Sequence, residues 1–565
     1  MKKIAIILLV TCLALPLAAN GPRDMVILVH PFANAGDSRY AWLSAGMADS
    51  VMSDLLLVKN IRVISERDRK KGLQEIEFSM SGMVDEQKAV KAGSMLGANV
   101  IFTGSYTVIN NSVRVIAKLI DVKTGEMVKT AKLDGSLDNI FQLQDRIVIT
   151  LLAEAQKAEI RDIRPPVISD QDKRAISDAP KTTFSAYEWY SKGLNIRYTN
   201  PRQALEFFEK AIAIDRNYGD ALEQAGYIAG VNFSQFDRGL EYLNRAEAAF
   251  RTHPGANTEK YAGVMISIAS IHWNRQDLDR SLNYYFRARD TYSNLGKRLS
   301  FGYASSVWGI GLIYYGKRQL AEALRWYQES KEVYDSLGMQ NTSSYADLLT
   351  NFGSAYYSMY RHNEAFDYYS RSKRILDDLQ LQNTTAYANA VWGLGLILYE
   401  RRDYDQALEH YTVAERSFIN LGMRNSATYA TFIMNIALVY EKQNRFDEAL
   451  DYYGRCRSIY DALGLRNSLN YGNLLMNIGV VHQRRNNLDQ ALRHFTESRD
   501  VLARLNVRES QSYANALYNI GTVHDRQGRR GEAARFYREA AGIYERIGSA
   551  EWRDRALNRA GELER

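Results

Sequence analysis

Cysteine and proline are scarce in this sequence. Its 565 residues include two cysteines, Cys12 and Cys456, and eight prolines. If the first segment is a leader that is removed, one thiol remains, and one thiol cannot form an internal disulfide even in an oxidising compartment. Long apolar runs are also absent after the first twenty residues. No run in that part of the chain approaches the 18 or so residues that a membrane-spanning helix needs. The sequence therefore predicts neither a disulfide framework nor a spanning helix.

The spacings that carry known catalytic chemistry are missing as well. We find no phosphate-cradling Gly-x-x-x-x-Gly-Lys loop, no nucleophile elbow, no His-Glu-x-x-His zinc motif and no paired cysteines. A catalytic role needs a named constellation of residues, and none is present. We therefore predict a protein that is not an enzyme and has no metal site and no cofactor.

Charge of one sign is not concentrated in any segment. The chain has 72 Lys and Arg against 65 Asp and Glu, which gives a formal charge of +7, and the two signs are mixed along its length. No basic stripe with interleaved aromatic residues appears, so a nucleic-acid partner is not expected. At this length, the chain should form at least two folding units.

The first nineteen residues have the composition of an export signal. Lys2 and Lys3 form a basic region, residues 4–15 are apolar, and residues 16–19 end in small side chains suited to cleavage. This pattern predicts a signal peptide over 1–19 and a location in the periplasm or cell envelope. One alternative stays open, because Leu9-Val10-Thr11-Cys12 resembles a bacterial lipobox, which would make Cys12 a lipid anchor. Thr11 is unusual at its position and the chain after Cys12 stays apolar, so soluble export is favoured.

A fixed period of 42 residues governs the C-terminal two-thirds of the chain. Tyrosine recurs at this step at Tyr261, Tyr303, Tyr345, Tyr387, Tyr429, Tyr471 and Tyr513. Small residues recur in the same step at Ala269, Gly311, Gly353, Gly395, Ala437, Gly479 and Gly521, and again at Ala288, Ser330, Ser372, Ala414, Cys456, Ser498 and Ala540. Small side chains at such positions let two antiparallel helices approach closely. The period therefore predicts repeated helix-turn-helix pairs with the tyrosines in the core.

Turn and capping residues recur in the same register. Gly296, Gly338, Gly422, Gly464 and Gly548 follow the second helix of a pair, where a left-handed cap is needed, and Gln380 and Asn506 replace glycine in two repeats. Ser or Thr after Asn341, Asn383, Asn425 and Asn467 offers a side-chain oxygen to start the next helix. The sequence therefore predicts where each helix begins and ends.

These units resemble the tetratricopeptide repeat, and the 42-residue length resembles its long-helix variants. The resemblance covers about nine units over residues 185–550, with the 42-residue period starting at about 258 and a capping helix at 551–565. It implies an all-α superhelical solenoid whose first helices line a concave groove for a protein or peptide ligand.

Asparagines in the first helices are the predicted peptide-binding residues. Amide side chains both donate and accept, so a ladder of them can hold the main chain of an extended peptide whatever its sequence. The ladder comprises Asn351, Asn435, Asn477 and Asn519 at one position and Asn389, Asn473 and Asn515 at another. Alternatively, these asparagines satisfy neighbouring helix ends or simply face solvent.

Aromatic residues share a third position of the first helices, at Trp273, Tyr315, Tyr357 and Tyr399. They would suit an apolar or sheet-like segment in the groove, or they only widen the core. His272, His482 and His524 fall where other repeats have tyrosine, so we predict that they pack at the helix pair and bind no metal. Cys456 occupies a small-residue position, which predicts a buried, inert thiol.

Residues 24–158 have strand-like runs in place of the helical period. The pattern predicts strands at 25–29 and 61–65, a helix over 38–57, helices around 67–77 and 85–96, four strand segments between 99 and 133, and a helix over 139–155. Turns are expected at Asn110-Asn111 and Lys123-Thr124-Gly125. This is a compact α/β domain.

Several motifs of this domain resemble the CsgG/FlgO family of bacterial envelope proteins. They are Ser65-Glu66-Arg67, the run from Ser81 to Asp85, the run from Leu96 to Ser105, and the run from Leu119 to Glu126. The run from Ile140 to Gln144 is similar to a TolB-like domain. The resemblance implies an envelope assembly or regulatory role. A curli-type pore is not expected, because about 135 residues leave little room for membrane hairpins.

The segment 159–184 contains prolines and polar residues and is predicted to be a semi-extended linker that lets the two domains move. The sequence as a whole favours a non-catalytic scaffold of the periplasm or cell envelope. In this interpretation the first domain docks to an envelope component and the repeats bind a partner protein. The alternatives are an oligomeric secretion or outer-membrane assembly factor of the curli type and a regulator of an envelope enzyme.

Overall fold

A computed structural model describes residues 23–58, 61–64, 86–158, 160, 162–179, 181–251 and 258–565. The predicted signal peptide with Cys12 and the predicted helix around 67–77 lie outside the described residues. The chain divides into two compact units. The first unit comprises Met1–Ile313 and Val333–Met339, and the second comprises Tyr314–Glu332 and Gln340–Arg565.

A mixed sheet forms the start of the first unit. Its strands are β1 (Met25–Val29), β2 (Ala33–Asn34), β3 (Ile61–Val63), β4 (Val100–Ile109), β5 (Ser112–Asp121) and β6 (Met127–Ser136). The order is β3-β1-β4-β5-β6, with β2 beside β4. The pairs β1–β3, β1–β4 and β2–β4 are parallel, and the pairs β4–β5 and β5–β6 are antiparallel.

Three long strands replace the four segments predicted between residues 99 and 133. Only two turns interrupt this stretch, at Asn110 (φ 55°) and at Gly125 (φ 72°), both in the left-handed region. Buried and exposed residues alternate through most of β5 without a break. Two turns join three strands, so the prediction of four segments was wrong, although both turns were correctly predicted.

Helices cover both faces of the sheet. Helices α1 (Leu43–Leu55) and α3 (Ile140–Ala155) share one hydrophobic core with β1 and β4, while α2 (Glu86–Leu96) contributes Ala89 to a cluster with Ile101 and Ile120. The helix predicted over 38–57 begins at Leu43, because a short 3₁₀ turn over Ser38–Tyr40 precedes it.

The segment 159–184 contains helix α4 (Asp170–Ser177) in place of the predicted semi-extended linker. Ser169 and Asp172 form a reciprocal capping box that starts this helix. Ile163, Ile168 and Ile176 are buried in the core of the first unit. These apolar residues tie the segment to the fold, and the first helical pairs continue the same core as the sheet.

Nine helix pairs and a final helix follow in the described part of the chain. The first helices are α5 (Phe184–Ile196), α7 (Gly219–Tyr227), α9 (Glu259–Asn274), α11 (Phe301–Gly316), α13 (Ser343–Ser358), α15 (Thr385–Glu400), α17 (Ala427–Lys442), α19 (Leu469–Arg484) and α21 (Gln511–Arg526). The second helices are α6 (Pro201–Ile214), α8 (Phe236–Arg251), α10 (Leu278–Asn294), α12 (Leu320–Ser336), α14 (His362–Asp378), α16 (Tyr404–Asn420), α18 (Phe446–Ala462), α20 (Leu488–Arg504) and α22 (Arg530–Arg546). The final helix is α23 (Ala550–Glu564). The α/β region is thus followed by an all-α array, as the fold class predicted.

The predicted caps are confirmed. All five glycines that follow second helices, together with Gln380 and Asn506, have positive φ. The side chains of Thr342, Thr384, Ser426 and Ser468 each accept a hydrogen bond from the backbone N–H three residues later. A second left-handed position, between the two helices of a pair, was not predicted. It is occupied by Gln276, Arg318, Tyr360, Arg402, Asn444, Asn486 and Gly528.

Small residues and aromatic rings meet inside the pairs. A Cβ on Gly395 would lie 2.4 Å from the ring of Tyr411, and one on Gly479 would lie 2.6 Å from the ring of Phe495. The recurring tyrosines from Tyr303 to Tyr513 are buried, while Tyr261 is half-buried, so the core prediction holds for six of the seven. Among the described residues, no helix is both long and apolar enough to cross a membrane.

Candidate binding face of the repeats

The first helices of the second unit expose a stripe of polar side chains between buried neighbours. In α19, Asn477 is half-buried while Met476 and Ile478 on either side are buried. The same pattern places every predicted asparagine of the ladder on a half-buried position of a first helix. We call this set the asparagine face, and it comprises Asn351, Asn389, Asn435, Asn473, Asn477, Asn515 and Asn519.

Six of these seven amides are available to a ligand. Asn515 is engaged within the protein, because its amide oxygen accepts hydrogen bonds from Gln511 (3.0 Å) and from the hydroxyl of Tyr544 (2.7 Å). The other six side chains make no hydrogen bond with any described residue. A half-buried amide without a protein partner gains from a ligand that supplies the complementary group.

Arginines beside the asparagine face connect successive repeats. Arg484 donates to the carbonyl oxygen of Glu441 at 2.8 Å, and Arg526, one repeat later, donates to that of Gln483 at 2.7 Å. These carbonyls lie in the last turns of α17 and α19, where helices lack internal partners. Each arginine therefore caps the preceding first helix and sets the spacing between neighbouring asparagines. The 42-residue interval between Arg484 and Arg526 was a signal that sequence reasoning missed.

A second series of contacts joins repeats on their outer edges. In each case the side chain of the residue after a first helix donates a hydrogen bond to a residue at the start of the preceding second helix, 38 positions earlier. The pairs are Arg401 with Asn363, Gln443 with Asp405, Arg485 with Asp447 and Gln527 with Asp489, at 2.7 to 3.0 Å. These pairs are exposed, so each contributes at most about 1 kcal/mol. They link successive repeats at a constant spacing, which keeps the asparagines of the face aligned from repeat to repeat.

The four predicted groove aromatics, Trp273, Tyr315, Tyr357 and Tyr399, are half-buried. The hydroxyl of Tyr315 lies 3.3 Å from Oγ of Ser358, and that of Tyr357 donates to Glu400 at 3.4 Å, in each case one repeat further on. Burial raises the pKa of Tyr357 to about 12 and also raises that of Tyr399. The two hydroxyls therefore contribute to repeat stacking, while part of each ring stays exposed.

The repeat histidines pack against rings, as predicted. His272 stacks on Tyr284, His482 on His494 and His524 on Phe536, with ring centroids 5.4 to 5.8 Å apart. Burial lowers the pKa of all three histidines named from the sequence. No group of three or more His, Cys, Asp or Glu in the described part of the chain is arranged to hold a metal ion.

Solved structures of other helical-repeat proteins are similar to this chain at low identity. The apo form of the quorum sensor NprR from B. thuringiensis is 16% identical, with 59% of this chain and 94% of that chain covered and a TM-score of 0.42. A Rap protein complexed with Competence and Sporulation Factor is 15% identical, with 64% and 91% covered and a TM-score of 0.38.

Among curated proteins, a putative adenylate cyclase 3 from Rhizobium meliloti (strain 1021) is 26% identical over 132 residues. The match takes in 23% of this chain and 21% of that protein, so the chain spans about a fifth of the relative's length.

A family model gives the most direct comparison. The model of the tetratricopeptide repeat matches residues 303–378, 384–462 and 470–546, and each matched segment covers two helix pairs. These limits follow the 42-residue register and contain the whole asparagine face. The helix pairs in these segments are tetratricopeptide repeats, a fold that generally serves as a non-catalytic scaffold for binding proteins.

Proposed function

We propose that this chain is a non-catalytic scaffold of the periplasm or cell envelope that binds an extended segment of a partner protein along the asparagine face. The single observation that carries the proposal is the set of six half-buried asparagine amides without a partner among the described residues, at two recurring positions of the first helices in the second unit. Each can accept from one peptide N–H and donate to one peptide carbonyl.

Main-chain recognition explains why asparagine recurs while the residues around it vary. One position of the first helices has asparagine in four of five repeats, at Asn351, Asn435, Asn477 and Asn519, with Gly393 in the fifth. The other position has asparagine in three of five, at Asn389, Asn473 and Asn515, with Asp347 and Thr431 in the remaining two. An extended peptide also presents alternate side chains away from such a face, so its contacts with the asparagines would depend little on its sequence.

An envelope location and docking through the first domain complete the proposal. They are supported by the export-like residues 1–19 and by the resemblance of residues 24–158 to the CsgG/FlgO family. The location is tested by fractionation of cells that carry the intact chain, with and without a Cys12→Ala change. Release by osmotic shock in both cases supports a soluble periplasmic protein, whereas a detergent requirement that disappears with Cys12→Ala supports the lipid anchor, and retention in the cytoplasm contradicts both.

The asparagine face is tested by crosslinking pull-down from envelope fractions with a variant in which Asn351, Asn435, Asn477 and Asn519 are changed to Ala. A matched control exists in the same repeats, because Asn341, Asn383, Asn425 and Asn467 are also 42 residues apart but are exposed in the turns before the first helices. We expect the first variant to lose its partner and the control variant to keep it, with unchanged circular dichroism in both. Equal capture by the two variants would contradict the proposal.

Main-chain recognition is tested on a synthetic peptide that spans the crosslinked segment of a captured partner. Scrambling its sequence should change affinity only modestly, whereas N-methylation of its peptide groups, which removes N–H donors, should weaken binding by at least about tenfold, the effect of one lost 1.4 kcal/mol interaction. Strong dependence on sequence with none on N-methylation would show that side-chain pockets, and not the asparagines, bind the partner.

A further inference from the structure

The first unit contains a partly open cavity of about 370 Å³ that the proposed scaffold function does not use. One wall comes from α1 and β3 of the sheet region, and the other comes from α5, α7, α9 and the start of α11. Small-molecule sites in proteins have volumes of roughly 300 to 1,000 Å³. The cavity is therefore large enough for a compact organic ligand.

Hydrocarbon side chains from both walls form an apolar part of this cavity. Met52 of α1, Ile61 of β3, Ile266 of α9 and Phe301 of α11 all line it, and each is less than one-tenth exposed. Such a surface favours an apolar ligand body, because burying hydrocarbon gains about 25 cal/mol for each Å² removed from water.

Helix α1 also carries a buried carboxylate into this cavity, one turn before Met52. Asp49 is 9% exposed, and its Oδ2 accepts a hydrogen bond from the hydroxyl of Tyr190 at 2.9 Å. Its other oxygen, Oδ1, has no donor among the described residues. An ionised carboxylate has about four acceptor sites, so one hydrogen bond leaves this buried group with unused capacity.

Next to Asp49, Lys260 and Asp220 form an ion pair with each other. Nζ of Lys260 is 2.5 Å from Oδ1 of Asp220. Burial raises the pKa of Asp49. Burial alone would lower the pKa of Lys260, but the carboxylates of Asp220 and Asp49 outweigh it and the pKa is raised. The ammonium of Lys260 thus interacts electrostatically with both carboxyl groups.

Other charged residues of the lining form ion pairs. Arg62 pairs with Asp24 at 2.9 Å, and Lys297 pairs with Glu259. Together the lining holds five carboxylates and four basic side chains: Asp24, Asp49, Asp220, Glu223 and Glu259 against Arg62, Arg197, Lys260 and Lys297. Arg164, outside the lining, also pairs with Asp24 at 3.3 Å, so the two signs are equal in number. Oδ1 of Asp49, and not a net charge, therefore distinguishes the site.

We propose that this cavity binds a small amphipathic organic cation, with a protonated amine against Oδ1 of Asp49 and a short hydrocarbon body against Met52, Ile61, Ile266 and Phe301. The ammonium supplies the donor that Asp49 lacks, and the hydrocarbon fills the apolar part. Because both walls contribute to the site, an occupied cavity stabilises the packing of the sheet region on the first helical pairs.

The proposal is tested by isothermal titration of the intact protein at pH 7 with three probes of equal chain length: n-hexylammonium, hexan-1-ol and hexanoate. We expect saturable one-to-one binding of the ammonium, with the alcohol at least tenfold weaker and no binding of the carboxylate. Tighter binding of hexanoate than of the ammonium would overturn the proposal and assign the site to Lys260. Failure of all three probes to bind would overturn it as well.

Two variants test the contribution of the carboxylate and that of the apolar lining to binding separately. Asp49→Asn keeps an acceptor for Tyr190 but removes the charge, and it should lower the affinity for n-hexylammonium at least tenfold. Ile266→Phe leaves every charge in place but fills the apolar part, and it should also abolish binding while the circular dichroism stays native. Asp134→Asn, on the exposed surface of β6 in the same unit, is the matched control and should bind as the unchanged protein does. Equal affinity of Asp49→Asn and Asp134→Asn would overturn the assignment to Asp49.

Discussion

The hydroxyl of Tyr190 donates a 2.9 Å hydrogen bond to Oδ2 of Asp49, and both side chains are buried. This contact joins α5, the first helix of the repeat array, to α1 of the α/β region within the first unit. Close by, the amide of Gln144 in α3 donates to the hydroxyl of Tyr187 at 2.7 Å. Two buried hydrogen bonds with defined partners therefore fix how α5 packs, which a purely apolar contact would leave less specific.

Removal of the Tyr190 hydroxyl should destabilise the first unit. We expect Tyr190→Phe to lower its free energy of unfolding by about 1.5 to 3 kcal/mol, the usual range for a hydrogen bond to a charged group. Urea unfolding followed by tryptophan fluorescence measures this, because Trp42 and Trp189 lie in this unit. Tyr360→Phe is the control, since Tyr360 is 85% exposed and should change stability by less than about 0.5 kcal/mol. If the two variants unfold alike, the Tyr190–Asp49 contact contributes nothing to stability.

Replacement of glycine by alanine should destabilise the second unit where helices pack closely and stabilise it where they do not. A Cβ on Gly395 would lie 2.4 Å from the buried ring of Tyr411, so Gly395→Ala should cost about 1 to 3 kcal/mol by overpacking. Gly454 also lies inside a helix, α18, but a Cβ there meets nothing within 4 Å. Gly454→Ala should therefore stabilise the second unit by about 0.5 to 1 kcal/mol. Thermal unfolding of both variants checks this, and a stabilising Gly395→Ala would show that helix approach does not require glycine there.

The features that were predicted correctly depend on residues close together in the chain, and they recur in successive repeats. A left-handed cap at Gly422 and an N-cap at Ser426 depend on the residues within a few positions, and the 42-residue step shows each of them several times. The same argument placed Tyr345 and Cys456 in the core. In the α/β region nothing repeats, so strand number was misjudged where β5 continues without a turn.

The features that the sequence did not predict arise between distant residues. Arg485 and Asp447 are 38 positions apart and exposed, so neither composition nor helical periodicity relates them. The cavity brings together Asp49, Tyr190 and Lys260 from three helices, and no spacing in the chain predicts that they meet. For the asparagine face, the two recurring positions could be predicted from the sequence, but only the structure distinguishes Asn515, whose amide oxygen accepts a hydrogen bond from Tyr544.

A buried carboxyl pair should make the stability of the first unit depend on pH. Asp54 of α1 is buried, its Oδ2 has no hydrogen-bond partner, and Lys181 lies nearer to Asp145 (2.7 Å) than to Asp54 (3.9 Å). Burial raises the pKa of Asp54 to about 7. The folded chain then keeps this proton up to about pH 7, while the unfolded chain releases it near pH 4.

The sign follows from proton linkage. Between about pH 4 and pH 7 the folded state binds more protons at Asp54 than the unfolded state, so the free energy of unfolding should fall as pH rises, by at most about 1.4 kcal/mol per pH unit. Asp54→Asn should make the free energy of unfolding depend less on pH. Relative to the unchanged protein, its free energy of unfolding should increase most at pH 8. Urea unfolding at pH 5, 6, 7 and 8 measures it, with the exposed Asp134→Asn as control. Parallel pH profiles for Asp54→Asn and Asp134→Asn would contradict the prediction.

Burial should make the thiol of Cys456 unreactive in the folded protein. The side chain is fully buried, its Sγ donates to the carbonyl oxygen of Ala430 at 3.1 Å, and burial raises the pKa of the thiol to about 12. In a chain that carries Cys12→Ser, we expect no reaction with a thiol-specific disulfide reagent at pH 8 before unfolding, and one thiol per chain in denaturant. Rapid labelling of the native protein would show that α18 opens locally.

Substitution of Cys456 distinguishes a packing role from a chemical one. Ser372 and Ser498 occupy the same position of other repeats and donate to the equivalent carbonyls of Ala346 and Gly472, at 2.8 and 2.7 Å. Cys456→Ser should therefore keep the hydrogen bond and change stability by less than about 1 kcal/mol, whereas Cys456→Leu should cost about 1 to 3 kcal/mol because the position has no room for a larger side chain. If partner binding by the asparagine face is lost in Cys456→Ser while stability is kept, the thiol has a chemical role that its burial does not suggest.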